Sequence, residues 1–230
     1  RKTKSFSTSQ ISKTKERQQR KFKMKEKFER ALKEIRIQEK RKFEQAIELI
    51  VNLKNFDIKK ESVNLFVSIP HKIKNYSFCF FGEKTHAGIE TITPELLQVY
   101  KEKKTAKKIV RDFDAFIAFA KLMPPLATAL GKYLGPAGKM PAPQLGIVAS
   151  ETDDAINAMK KKYETTLRVR TKEPSLKIKI GREGMKDSEI IENILAVFEA
   201  IASTLPKKKE NVASVLIKTS MGKPIKVEYG

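Results

Sequence analysis

Tryptophan is absent from this 230-residue chain, cysteine occurs once and histidine only twice. A lone cysteine, Cys79, excludes an internal disulfide and a cysteine-based zinc site. His71 and His86 are too few for a His-rich metal centre, so neither metal nor cofactor is expected. No apolar run approaches the roughly 18 residues needed to span a bilayer, and no signal-peptide core is legible near the first residue. The expected setting is reduced, free of membrane and cytoplasmic. Acidic residues are also short: 27 Asp and Glu face 48 Lys and Arg, a net charge of +21. Such a charge draws polyanions from a distance, and the candidates are nucleic acid, an anionic membrane surface or an acidic protein. The 40% hydrophobic content allows a core, but not one extending over the whole chain.

The basic excess is uneven. Residues 1–42 hold seventeen Lys and Arg against five Glu, a net of +12, which leaves +9 for residues 43–230. Residues 1–14, rich in Ser, Thr and Lys, read as disordered. From Lys15 to Arg41 the chain is charged, Gln-rich and free of Gly and Pro, which predicts a solvated helix with Phe22, Phe28, Leu32 and Ile35 as a thin apolar stripe. Two readings stand for this extension, a solubilising tail or a polyanion-binding arm.

The globular part begins at Phe43. In KFEQAIELIVNL, Phe43, Ala46, Ile47, Ile50 and Val51 fall on one helical face. SVNLFVSIP alternates, with Val63, Leu65, Val67 and Ile69 on one side and Pro70 as the stop. Tyr76–Phe81 (YSFCFF) and FDAFIAF read as strands covered on both faces. One helix is predicted from Pro94 to Asp112 with Thr93 as its N-cap. MPPLATALGKYLG and ETDDAINAMKKKYE are further helices, and GIVAS is a weak strand. Strands alternating with helices over residues 73–164 argue for a small parallel α/β unit. TLRVRTK and SLKIKIG each have period two, with Glu173-Pro174 between them. Pairing of these two strands would put Arg168, Arg170, Lys172, Lys177 and Lys179 on one cationic face, with Leu167, Val169, Leu176, Ile178 and Ile180 on the other. DSEIIENILAVFEAIASTLP is an amphipathic helix, and NVASVLIKT and PIKVEY supply the last strands. The fold class is therefore mixed α+β and α/β in two domains. Residues 43–72 and 165–230 form one α+β domain, residues 73–164 are inserted between them, and residues 1–42 form the basic extension.

Catalysis has little in the sequence to rest on. LGKYLGPAGKMPAP has Tyr133 where a Walker loop needs its first glycine and Met140 where it needs a hydroxyl. It is either a structural loop or a Lys-bearing loop able to approach RNA. Asp112 and Asp114 sit at a helix–strand junction, and Asp153 and Asp154 in the first turn of a helix, where the dipole favours carboxylates without any catalytic role. The cationic face argues instead for RNA or DNA, because adjacent like charges on a sheet repel unless an anion relieves them. VLIKTSMGKPIKV raises a separate question, since a plain hairpin turn would use Asn-Gly or Asp-Gly rather than Ser220-Met221-Gly222.

LGKYLGPAGKMPAP, KFEQAIELIVNL followed by SIPH, and TSMGKP, in that order, resemble the ribosomal protein L-one family of large-subunit stalk proteins. The likeness runs from about Arg41 to Tyr229, and KMPAP and IGREGM are closer to archaeal members. The resemblance implies a split α+β RNA-binding domain with an inserted Rossmann-like parallel-sheet domain, and no enzymatic activity. It implies as partners the large-subunit ribosomal RNA, deacylated tRNA at the exit site and the protein's own mRNA, whose translation it would repress, with the chain a monomer within the ribosome. Phe43 and Glu48, with Lys42 beside them, match the motif that opens the family's first helix. Ser220, Met221 and Gly222 match a Thr-Met-Gly triad with Ser for Thr, which keeps the hydroxyl. Lys172 matches a family lysine, and Ala46 stands where many members carry Thr. The RNA-binding residues expected are Arg41, Lys42, Phe43, Glu48, Arg168, Arg170, Lys172, Lys177, Thr219, Ser220, Met221 and Gly222. The hydroxyls of Thr219 and Ser220 would bond RNA oxygens, Met221 would pack on a sugar or base, and Gly222 would admit the RNA backbone. A general nucleic-acid-binding protein outside the ribosome is the alternative reading.

Overall fold

Residues 46–53 carry apolar side chains at both helical and strand spacings, and the structure resolves that ambiguity in favour of a strand. Ile47, Leu49, Val51 and Leu53 are buried at period two, while Ala46, Glu48, Ile50 and Asn52 are half-buried on the other face. The helical face expected from Phe43 to Val51 is thereby corrected. Ile47, Ile50 and Val51 are β-branched and stiff in helices, and partner strands on both sides complete the backbone hydrogen bonds.

The computed structural model describes residues 8–37, 41–56, 64–86, 88–100, 102–171, 173–206 and 208–227, without the side chains of residues 8–21, 208 and 209. In chain order the elements are α1 (Thr8–Ile37), β1 (Ala46–Leu53), β2 (Asn64–Ser68), β3 (Phe78–Phe81), β4 (Glu90–Ile92), α2 (Pro94–Val99), α3 (Lys103–Asp112), β5 (Ala115–Phe119), α4 (Met123–Leu134), β6 (Ile147–Val148), α5 (Asp153–Glu164), β7 (Thr166–Arg170), β8 (Ser175–Arg182), α6 (Asp187–Thr204), β9 (Val212–Thr219) and β10 (Ile225–Val227). They divide into two compact units, residues 1–73 with 167–230, and residues 74–166. Among the described residues no helix is long and apolar enough to cross a membrane.

The first unit holds an antiparallel sheet in the order β10-β9-β1-β8 and a two-stranded sheet of β2 and β7. Helix α6 buries Ile190, Ile191, Ile194, Val197, Phe198 and Ile201 in a core shared with Ile47, Leu49, Val51, Ile178, Val215 and Ile217. Helix α1 joins the same core. Phe28, Ala31, Leu32 and Ile35 recur at three- and four-residue intervals and are all buried, so the C-terminal part of this helix is not the solvated arm expected. Phe22 lies about 240° around the helix from Phe28 and is 64% exposed. The helix also begins at Thr8, so residues 8–14 are helical rather than disordered; residues 1–7 lie outside the described residues. One buried polar side chain, Asn193, ties α6 to its surroundings: its amide donates to the carbonyls of His71 and Ile180 and its oxygen accepts from the His71 N–H.

The second unit is a parallel sheet in the order β4-β3-β5-β6. Cys79, Phe81, Phe116 and Ala118 face α2, α3 and α4, whereas Phe80, Ile117 and Phe119 face α5. Both faces are covered, as the continuous apolar runs required. The single helix expected from Pro94 is instead two, α2 and α3. Leu97 and Ala106 are nine residues apart, about 180° around one continuous helix, so the break between them lets both face the core. Thr93 occupies the N-cap position of α2 without a side-chain capping bond, whereas Thr152 does cap α5 through the Ala155 N–H.

In LGKYLGPAGKMPAP, residues 130–134 are the end of α4, and the loop that follows is held internally. Lys139 Nζ donates to the carbonyls of Val110 and Phe113, at 2.6 and 2.7 Å, and so satisfies the end of α3. Gly146 has φ +113, and a Cβ there would lie 3.0 Å from the Phe116 carbonyl oxygen. The lysine is therefore committed to the fold.

Two expectations follow. Leu32→Ala should lower unfolding free energy in denaturant titrations by about 2–5 kcal/mol, whereas Phe22→Ala should leave it nearly unchanged. Burial raises the carboxyl of Asp114, but hydrogen bonds from Lys74 and Ser77 and the Lys74 charge outweigh it and hold the group below its ordinary 3.8. The resulting stabilisation is present above pH 3.8 and disappears as pH falls through the folded value. Asp114→Asn should destabilise the second unit at neutral pH and flatten its acid limb, measured by urea unfolding from pH 2 to 7.

Candidate functional site

The antiparallel register brings the start of β1 to the same sheet end as the last residues of β8 and β9: Ala46 opposes Arg182, and Ile47 opposes Thr219. Three chain segments meet there, residues 41–45, 183–186 and 220–224. Gln45, only 3% exposed, joins them. Its amide nitrogen donates to Glu183 Oε1 at 3.1 Å, its backbone N–H donates to Glu183 Oε2 at 3.1 Å, and its oxygen accepts the Met221 N–H at 3.0 Å. The Glu183 N–H returns a bond to the Gln45 carbonyl. The Ser220 hydroxyl accepts from the Ala46 N–H at 3.3 Å and reaches its carbonyl at 3.4 Å, beside a backbone bond from Ser220 to the same carbonyl. The Gly222 N–H donates to the Thr219 carbonyl and closes the turn.

Helix α1 reinforces this end. The Arg36 guanidinium donates to the carbonyls of Glu183 and Met185 and to the Asp187 carboxylate, at 2.7–3.1 Å. Arg182 pairs with Glu44 at 2.9 Å. Two large apolar side chains nevertheless stand out from this braced surface: Phe43 is 55% exposed and Met221 67% exposed. Surface apolar residues scattered singly are ordinary. The Met221 N–H is bonded to the buried Gln45, and Phe43 lies two residues before Gln45, so both side chains belong to this end of the sheet.

Beside them, the outer face of the sheet is cationic. Lys177, Lys179 and Lys226 are exposed and Lys218 is half-buried there. Glu48 lies opposite both Lys179 and Lys218 in the register, with Lys218 Nζ 3.9 Å from its carboxylate. Opposite charges facing across strands relieve much of the repulsion expected of a purely cationic face.

The residues singled out from sequence separate into groups. Arg41, Lys42, Phe43, Ser220, Met221 and Gly222 gather at the sheet end, and Lys177 and Glu48 lie on the adjoining outer face. Thr219 is 4% exposed on the core face, so its hydroxyl is not on the surface that a partner meets. The Ser220 hydroxyl is half-buried and engaged with Ala46. The expected pairing of TLRVRTK with SLKIKIG does not occur: β7 pairs with β2, and β8 pairs with β1. Arg168 and Arg170 therefore belong to a different sheet from Lys177 and Lys179, and Arg168 bonds Asn64 and lies 5.6 Å from the Phe66 ring. Lys172 lies outside the described residues. Missed from sequence were Gln45, Glu183 and Arg36, whose partners are up to 176 residues away. Lys218 and Lys226 had a legible signal in the alternation of their strands.

Several titratable groups elsewhere have structural surroundings that account for them. The Cys79 thiol is buried and pushed up to about 12 by desolvation, with the Glu90 charge adding to the effect, so it stays protonated at neutral pH. Asp153 pairs with His86, and Asp114 with Lys74. Among the described residues no group of three or more His, Cys, Asp and Glu could hold a metal ion.

Residues 32–223 match the model of the Ribosomal protein L1p/L10e family. Similar proteins named "Large ribosomal subunit protein uL1" occur in Pyrococcus horikoshii, 34% identical over 215 residues, and Thermococcus kodakarensis, 35% identical over 215 residues. These matches cover 88% of this chain and 96% and 97% of the respective relatives. The Nanoarchaeum equitans protein of the same name is 34% identical over 207 residues, covering 85% of this chain and 97% of that protein. A family match across most of the chain, together with relatives aligned nearly end to end, establishes that the chain belongs to the Ribosomal protein L1p/L10e family.

Proposed function

We propose that the chain is a constituent of the large ribosomal subunit that binds a folded element of ribosomal RNA through the braced end of its antiparallel sheet. The carrying observation is that two exposed apolar side chains, Phe43 and Met221, stand at one end of the sheet, where Gln45 ties the Met221 backbone to the segment leading into β1. A preformed surface binds without first losing the freedom of its loops. The polarizable, unbranched Met221 adapts to the shape of a sugar or base, and Phe43 offers a ring face. Exposed backbone around Gly222 suits RNA, which is read largely by shape and by 2′-hydroxyl contacts. The Ser220 hydroxyl positions the turn, and the lysines of the outer face and the residues of α1 add attraction to phosphates.

Likeness to proteins named for the large subunit supports the ribosomal setting. The family resemblance extends the proposal to a mobile stalk near the tRNA exit site, assistance in releasing deacylated tRNA, and repression through a similar structure in the protein's own mRNA.

Met221→Ala should weaken binding to the ribosomal RNA element on the order of ten-fold, about the value of burying much of one such side chain, with unchanged circular dichroism. Equal affinity for a scrambled hairpin at moderate salt, or loss from large subunits in a high-salt wash, would favour a general nucleic-acid binder. Lys177→Ala should lower the slope of log affinity against log salt by about 0.7–0.9 while leaving the cognate-to-scrambled ratio nearly constant. Deleting residues 1–40 is not a clean test of electrostatics, because it removes Phe28, Leu32 and Ile35 from the core.

A further inference from the structure

The second unit has a cleft of about 510 Å³ that the sheet-end site does not use. One wall is aromatic: Tyr76 and Phe78 line it, Tyr163 meets both rings in T-shaped contacts with centroids 5.5 and 5.7 Å away, and Lys74 Nζ lies 5.0 Å from the Tyr76 centroid. From α5 come Asn157, Lys160, Lys161 and Glu164. Lys160 Nζ donates to the Gly88 carbonyl at 3.2 Å and steadies the opposite lip. Lysines near a helix C-terminus are favoured by the helix dipole alone, so the cations by themselves imply no ligand. Their combination in one cleft with an aromatic wall, an amide and a carboxylate does.

That combination describes a planar aromatic ligand with a polar edge and an anionic group. We propose that this cleft binds one unstacked nucleotide of single-stranded RNA, the base against Tyr76 and Phe78, its amino-bearing edge toward Asn157 and Glu164, and its phosphate toward Lys161. The volume lies within the range of about 300–1,000 Å³ typical of small-molecule pockets, and a paired base buried in a duplex does not present its face to such a cleft. An acidic peptide would satisfy the lysines but leave the aromatic wall and Glu164 without a partner, whereas the exocyclic amine of cytosine, adenine or guanine can donate to Glu164. The cleft is formed wholly by residues of the second unit, so this inference stands apart from the RNA-binding reading of the first.

The test uses the full ¹⁵N-labelled chain titrated with cytidine 5′-monophosphate, uridine 5′-monophosphate, inorganic phosphate and an acidic hexapeptide. The expected result is saturable amide shifts at Gly88, Asn157, Lys160 and Lys161 with the cytidine nucleotide, and binding roughly five-fold weaker for uridine, which lacks the amine. Lys161→Glu, on an exposed position, should weaken the cytidine nucleotide on the order of ten-fold. Glu164→Gln should narrow the difference between the two nucleotides. The proposal is overturned if no saturable shift occurs at these residues, if phosphate alone or the peptide reproduces the shifts at equal concentration, or if both nucleotides bind equally. Failure of the sheet-end reading would appear separately, as unchanged RNA affinity in the Met221 variant.

Discussion

Pairing of β1 with both β8 and β9 is the interaction on which the rest of the first unit depends. β1 lies inside the sheet, and its neighbours arrive from far along the chain. The side-chain period of two makes this pairing exacting: a slip of one residue would bury Glu48 and expose Leu49. With the register set, Gln45 and Ala46 meet Glu183 and Ser220, 138 and 174 residues away. Two remote turns thereby become one braced ledge. The same core side chains that hold the register also seat α1 and α6, so the ledge inherits its rigidity from the hydrophobic core.

Charge and shape are separated in this molecule. The net charge of +21 acts over distance and falls off with salt, whereas the exposed side chains of Phe43 and Met221 act only on contact. Close at hand the charges are more balanced than composition implies. Glu48 sits between Lys179 and Lys218, Arg36 and Arg182 are paired with carboxylates, and Lys139 is used inside the second unit. Hydroxyls follow the same pattern, with Thr219 buried and Ser220 bonded to the neighbouring strand. On the proposed RNA-binding reading, discrimination at the ledge would rest on apolar side chains and backbone shape.

The second unit has a different logic. Its strands are covered on both faces, so nearly all of their side chains are committed to packing: Ala115 to Phe119 are buried without exception. Surface chemistry is left to the helices and connections. That is why the cleft is built from the approach to β3 and the C-terminal half of α5, and why Lys139 of the Gly-rich stretch is turned inward and contributes structure.

Much was legible in local pattern. The apolar runs at 78–81 and 115–119, the stripe of α6 and the alternation of β8 and β9 each state their own burial, because a side chain's neighbours along one element follow from its period. The family signature likewise sits in contiguous residues. Pattern was insufficient where two periods fit one segment, as at 46–53, or where a stripe turned partway, as between Leu97 and Ala106. It was silent on partner choice. Arg168, Arg170, Lys177 and Lys179 were each placed on the correct side of their own strand, yet β7 joined β2 and β8 joined β1. By itself the sequence determined the composition of each element, its buried face and the basic character of the whole. Only the tertiary structure decided which strands are neighbours, and with that the ledge of Gln45, Glu183 and Ser220, because hydrogen bonds between residues more than a hundred positions apart leave no trace in local periodicity.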